Sequence, residues 1–150
     1  MKGEKMSELK TSELEDVLLK SDSSNLSKIL KDIKETDFST YMKNCFEKHG
    51  YQQQQVFINS DISLTYGYKL ISLEKHTTQR DLIIRMCYAA HFTLEETQRA
   101  LKLYGMSPLY VKVKRDALLM KGIQDRVGNI LELNEYLIKN KEKPLRISGN

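Results

Sequence analysis

Residues 52–70 read QQQQVFINSDISLTYGYKL, and this stretch decides the fold that we predict for the chain. Apolar side chains recur in it at helical spacing, which predicts one helix near 52–59 and a second near 63–72. A sharp bend over 60–62 separates the two. The side chains predicted to face inward are Val56, Phe57, Ile62, Tyr66 and Leu70. Two short helices joined by a tight turn are the layout of a helix-turn-helix.

The bulk composition fits a globular chain. The 150 residues suit one domain with a helical appendage, since 40% are hydrophobic and 29% are charged. No run of about 18 apolar residues is present, and the start MKGEKMSELK lacks the apolar core of a signal peptide. Cys45 and Cys87 sit in apolar helical patterns, which predicts buried thiols in a reducing cytoplasm. We therefore expect a cytoplasmic protein.

The periodicity predicts an all-α fold in three parts. Residues 1–36 are predicted to form short N-terminal helices, one behind a capping box at Ser12 and one through Leu26, Ile29, Leu30 and Ile33. Residues 37–105 are predicted to form a five-helix domain. Thr93 and Glu96 have capping-box spacing there. Residues 106–150 are predicted to form a C-terminal helical hairpin.

The last third of the chain repeats residue types from the segment before it. Arg80-Asp81 precedes Arg115-Asp116 by 35 residues, and Pro108-Leu109 precedes Pro144-Leu145 by 36. Two helices in a unit of about 35 residues are typical of helical-hairpin repeats, although two copies are too few for a solenoid. Either the similarity is a coincidence, or two hairpins stack and extend the core.

Four pieces of the chain carry a resemblance to a known family. They are ISLTYGYK at 62–69, TQRD at 78–81, LEETQRAL at 94–101, and SPLY at 107–110 followed by RDA at 115–117. Together they resemble the shared pattern of XRE-type, lambdoid repressor-like regulators from Gram-positive bacteria, over about residues 37–145. The resemblance implies a five-helix repressor-like domain and a helix-turn-helix regulator of transcription that binds operator DNA.

In such proteins the first helix crosses the phosphate backbone and the second enters the major groove. By that pattern Leu64, Thr65 and Lys69 face the bases and Ser63 leads into the helix. The predicted DNA-binding residues are Gln53, Ser63, Leu64, Thr65, Lys69, Lys75 and Arg80. The group has Arg where this chain has Leu64, and a leucine can only touch a thymine methyl, whereas arginine reads guanine with two hydrogen bonds.

The charge distribution favours a second hypothesis. The net charge is +4, yet residues 35–79 carry four lysines against five acidic residues, and residues 80–150 carry thirteen basic residues against eight acidic ones. A helix-turn-helix segment at −1 has few cations for phosphate, although Lys112, Lys114 and Arg115 would add a flanking patch. The alternative is a protein-binding adaptor that keeps the fold and has lost DNA readout.

Other patterns indicate no catalytic or metal site. The residues His49, His76 and His91 lack ligand spacing, and the adjacent Glu95 and Glu96 point in different directions on a helix. We predict a non-enzyme without cofactor or metal. Its expected partners are operator DNA, possibly a second copy and possibly another protein, but no membrane. The 110–115 segment, YVKVKR, is either a nucleic-acid contact or a solvated connector.

Overall fold

The computed structural model describes residues 10–20, 22, 25–26 and 36–147. Eight helices lie in these ranges, and no strand does. They are α1 Thr11–Lys20, α2 Phe38–Lys48, α3 Gln53–Ser60, α4 Leu64–Ile71, α5 Arg80–Ala89, α6 Leu94–Tyr104, α7 Lys114–Asp125 and α8 Ile130–Lys139. The predicted all-α class is confirmed. Within the described part, no helix combines the length and the hydropathy of a membrane-crossing segment.

The chain divides into two units between Asp37 and Phe38. In the first unit, α1 begins at Thr11, so Ser12 lies inside the helix and is not the cap that we predicted. Of the predicted second helix, Ile29, Leu30 and Ile33 lie outside the described residues. The sites discussed below belong to the second unit.

Helix α5 is the centre of the second unit. Residues 82–90 are all buried, because α5 packs against α3, α6 and α8. A short run of apolar residues with neighbours on several sides cannot show one-sided periodicity, which is why the sequence gave α5 no polar face. The fully buried side chains around it include Met42, Phe46, Val56, Phe57, Leu70, Ile71, Phe92 and Leu101.

One charged side chain lies within this core. Arg85 is 2% exposed, and its guanidinium donates to three backbone carbonyls. The acceptors are Ser60 O at 2.9 Å, Leu145 O at 2.9 Å and Arg146 O at 2.7 Å. Burial lowers the pKa of Arg85, while Asp61 and Asp81 act in the opposite direction. A buried cation is stable only when such acceptors surround it, so Arg85 ties the C-terminal segment to the end of α3.

The predicted capping box at the start of α6 is present and does more than cap the helix. Glu96 accepts from the Thr93 N–H at 2.9 Å and from Lys48 Nζ at 2.9 Å, and lies 2.7 Å from His49 Nε2. Burial alone would raise the pKa of Glu96, but these donors outweigh it and lower the pKa to about 2. The carboxylate therefore fastens the end of α2 to the start of α6.

The predicted repeat is confirmed by equivalent contacts in both copies. The Gln98 side chain bonds both backbone groups of Leu109, at 2.7 and 2.9 Å, and Asn134, 36 residues on, accepts from Leu145 N at 2.8 Å. A second capping box, Asn129 with Glu132, starts α8 as Thr93 and Glu96 start α6. Helices α5–α6 and α7–α8 are thus two copies of one hairpin.

The two hairpins contact each other reciprocally. Arg80 pairs with Asp116, and Arg115 pairs with Asp81 at 3.0 Å. Asp116 also accepts from Tyr110 N at 2.9 Å, and Asp81 accepts from Arg146 N at 2.9 Å. Exchanging each residue for its equivalent leaves this set of contacts unchanged, which is the property of a two-fold axis. A two-fold contact closes on itself, so the pair of hairpins does not extend into a solenoid.

Gly67 lets α3 and α4 approach each other closely. A Cβ atom at Gly67 would lie 2.5 to 2.8 Å from three carbon atoms of the Phe57 ring. The ring has no exposed surface and packs edge-on against Tyr68, with centroids 5.0 Å apart. The glycine of the Thr-Tyr-Gly-Tyr sequence is therefore required by packing, although glycine in a helix costs about 1 kcal/mol.

Gly67→Ala is expected to destabilise the protein by about 2 kcal/mol, because overpacking a buried ring outweighs the gain in helix propensity. Urea denaturation of the full chain measures the change. In a Phe57→Leu background the same substitution should cost much less, since the ring is gone. An equal cost in both backgrounds would contradict the assigned clash.

Glu96→Gln removes the charge while keeping the shape of the side chain. Because folding lowers the pKa of Glu96 from 4.5 to about 2, its contribution to stability is complete above about pH 4.5 and disappears as the pH falls toward 2. We expect the wild type to exceed the variant by up to about 3 kcal/mol at pH 7, and the difference to vanish near pH 2.

Glu132→Gln is the matched control for this measurement. Glu132 occupies the equivalent position in α8 and accepts from the Asn129 N–H, but it is exposed. Its substitution should cost about 1 kcal/mol, as expected for a helix cap. A pH-independent difference between wild type and Glu96→Gln would show that the charge of Glu96 is not what stabilises the joint.

Candidate nucleic-acid interface

The turn between α3 and α4 is built by local backbone geometry. Helix α3 ends at Ser60, and Asp61 adopts the left-handed conformation with φ 60°. Ile62 N then donates to Phe57 O at 3.0 Å, and the Ile62 side chain is buried. Aspartate tolerates this conformation better than most residues, although glycine does so best. The sharp bend predicted over 60–62 is present.

Ser63 begins α4 as its cap. Its backbone is extended and its Oγ accepts from Tyr66 N at 3.3 Å. The predicted position of Ser63, leading into the second helix, is therefore observed. Because Ile62 is buried and Ser63 caps the helix, the first turn of α4 presents Leu64 and Thr65 to solvent.

An open groove of about 410 Å³ runs beside the exposed face of α4. Its lining comes from α2, α3, α4 and the loop after α4. The lining residues are Lys43, Gln53, Thr65, Tyr68, Lys69, Ile71, Ser72 and Glu74. Three of the residues predicted to bind DNA, Gln53, Thr65 and Lys69, thus meet in one groove.

Sequence reasoning missed Lys43 and Tyr68 in this groove. Tyr68 lies one turn after Leu64 and Thr65, so helical spacing was the signal that could have found it. Lys43 had no such signal, because it belongs to α2 and only the packing of α2 near α4 brings it here.

The electrostatics of the surface are mixed. Lys43 and Lys69 contribute positive charge to the groove, but Lys69 Nζ lies 3.7 Å from Glu74 Oε2. The exposed carboxylate of Asp61 lies on the turn that leads to α4. Lys75 is exposed on the loop and is not among the groove-lining residues. The positive field is weak, as the balance of residues 35–79 predicts.

Apolar side chains are exposed on the same two helices. Leu64 is 37% exposed, Tyr68 44% and Ile58 61%. The Tyr68 ring packs against Phe57 with one edge and leaves the other side to solvent. This surface could therefore contact thymine methyl groups in a major groove or apolar side chains of a protein.

Arg80 lies away from the groove, at the contact between the two hairpins. Its Nη1 donates to Ser107 O at 3.1 Å and Pro108 O at 3.3 Å, and its Nη2 pairs with the buried carboxylate of Asp116. The sequence suggested a phosphate contact because Arg80 starts a helix just after the candidate site. Its observed partners give the guanidinium a structural role.

The two cysteines are buried and free, as predicted. Burial raises the pKa of both thiols, which keeps them protonated. No group of three or more histidine, cysteine, aspartate or glutamate side chains in the described ranges is arranged to hold a metal ion.

No family model matches the chain, and no curated protein and no solved structure matches it either. The function is therefore argued from the residues and their geometry.

The two basic residues predicted to hold the phosphate backbone differ in their surroundings, and this can be tested. Arg80→Ala removes the partner of a buried carboxylate, so we expect a loss of about 3 kcal/mol in unfolding free energy. Lys75→Ala changes an exposed side chain and should alter stability by less than about 0.5 kcal/mol. Urea denaturation compares them, and equal effects would refute the structural role of Arg80.

Proposed function

We propose that the protein is an XRE-like helix-turn-helix regulator that binds operator DNA with α3 and α4, in a five-helix repressor-like arrangement of α2 to α6. The observation that carries the proposal is the shared groove of Gln53, Thr65 and Lys69 beside an exposed helix. Two helices and a lysine from a third converge there. A groove that borders a protruding helix of this kind matches the way such helices enter a major groove.

The start of α3 supports a phosphate contact. Gln52 is extended and its side chain makes no capping hydrogen bond to the first turn of α3. Backbone N–H groups at a helix start attract phosphate, and the helix dipole adds to this attraction. Gln53 and Lys43 line the groove beside this helix start, so a phosphate placed there would meet both side chains.

The face of α4 supports limited base readout. The Thr65 hydroxyl can make one hydrogen bond to a base edge, and Leu64 can contact a thymine methyl. Lys69 reaches either a guanine or a phosphate. These contacts are few, so specific binding by one chain would be weak. A homodimer on a palindromic operator would double both the phosphate and the base contacts.

A protein-binding adaptor remains the second candidate, and the exposure of Ile58, Leu64 and Tyr68 favours it. Contiguous exposed apolar side chains on two helices are typical of protein contacts. DNA binding and adaptor function predict opposite outcomes for one experiment, the selection of duplex DNA at low salt.

The test is a selection of 30-base-pair duplexes from a random library by the full chain at low salt, followed by affinity measurements on the selected duplex. Lys69→Ala should reduce the slope of log K against log salt by about 1 if it contacts phosphate. Thr65→Ala should weaken binding about fivefold without changing that slope.

Lys139→Ala, an exposed lysine on α8, is the matched control and should change neither quantity. Enrichment of no sequence, together with normal folding of the chain, would remove the proposal and favour the adaptor. If Lys69→Ala and Thr65→Ala both behave like the control, the protein binds DNA with another surface.

A further inference from the structure

The two-fold relation between the hairpins creates a surface that the groove of α4 does not use. A two-fold axis carries each atom to an equivalent at the same height along the axis, so equivalent residues lie at the same end. Tyr110 and Val111 are equivalent to Arg146 and Ile147, 36 residues on. We call the surface formed by residues 79–81, 107–116 and 142–147 the dyad face.

Apolar side chains are concentrated on the dyad face. The side chains of Tyr110, Val111, Val113 and Ile147 are each between 47% and 64% exposed. The first three fall within four residues, in a turn closed by a hydrogen bond from Val113 N to Tyr110 O at 3.0 Å. Single exposed apolar residues are ordinary, whereas a cluster on both sides of an axis indicates a contact surface.

The same face carries an excess of positive charge. Its three segments contain six basic and three acidic residues, a net charge of +3. The carboxylates of Asp81 and Asp116 are held by Arg115 and Arg80 in the reciprocal pairs. Glu142 lies 3.9 Å from Lys114. The positive charge beyond these pairs belongs to Lys112, Lys143 and Arg146, which are exposed.

We propose that the dyad face is a docking surface for an acidic segment of a partner protein that also carries apolar side chains. Acidic side chains would meet Lys112, Lys143 and Arg146, and apolar ones would cover Val111 and Ile147. Interfaces commonly combine an apolar centre with a charged rim, and complementary charge speeds and orients association.

Two other occupants fit less well. A second copy of the chain, docked through the same face, would bring two surfaces of charge +3 together, and like charges across an interface cost free energy. Nucleic acid would satisfy the lysines, but its phosphates offer nothing that buries four apolar side chains. An acidic peptide with apolar residues satisfies both features.

The experiment is a phage-display selection of random dodecapeptides on the full-length protein. Peptides that bind the variant Val111→Ser/Lys112→Glu are first removed from the library. Enriched peptides are synthesised with a fluorophore and their Kd is measured by anisotropy. The matched control is Leu131→Ser/Lys139→Glu, which changes an apolar residue and a lysine of similar exposure on α8.

We expect enriched peptides that combine Asp or Glu with Leu, Ile or Phe. Their Kd should rise at least about tenfold for Val111→Ser/Lys112→Glu, and should change less than about twofold for the control. Circular dichroism checks that both variants fold. Equal loss of binding in the two variants, or peptides without acidic residues, would overturn the proposal.

A parallel measurement uses random 30-base-pair duplex DNA at low salt. If Val111→Ser/Lys112→Glu weakens binding of this DNA while no peptide depends on the dyad face, the face contacts nucleic acid and the proposal is wrong. The proposal does not depend on DNA binding by α4, because Thr65 and Lys69 are unchanged in both variants.

Discussion

A buried guanidinium constrains the second unit. Arg85 lies inside the core, and the cost of removing its charge from water is offset only because Ser60, Leu145 and Arg146 supply three carbonyl acceptors. Ser60 ends α3, and the other two residues belong to the C-terminal segment. The turn that leads into α4 and the last residues described are therefore held by one side chain, so the C-terminal hairpin belongs to the architecture that presents α4.

The remaining contacts between elements follow a similar rule, in which each buried carboxylate has a specific cationic partner. Glu96 joins α2 to α6, while Asp81 and Asp116 join the two hairpins through Arg115 and Arg80. These residues belong to the motifs that carry the resemblance to XRE-type regulators. Because their side chains are used to hold helices together, the resemblance speaks more directly for a fold than for a DNA-reading surface.

Much of the site followed from local rules in the sequence. The two short helices, the bend at 60–62 and the cap at Ser63 depend on neighbouring residues, and helical periodicity places Thr65 and Lys69 on α4. Lys43 and Arg80 show the limit of such rules. Both depend on contacts between elements distant in the chain: α2 brings Lys43 into the groove, and the second hairpin takes Arg80 away from it.

The sequence by itself determined the helical class, the spacing of the hairpin repeat, the capping box at Thr93 and the weak charge of residues 35–79. These features arise from periodicity, nearest-neighbour hydrogen bonds and composition, which act over a few residues. Only the tertiary structure decided that the two hairpins meet about a two-fold axis, that Arg85 is buried, and that Gly67 is needed against Phe57. Those outcomes depend on the approach of separate helices, where side-chain volume and charge pairing across the interface determine which arrangement is stable.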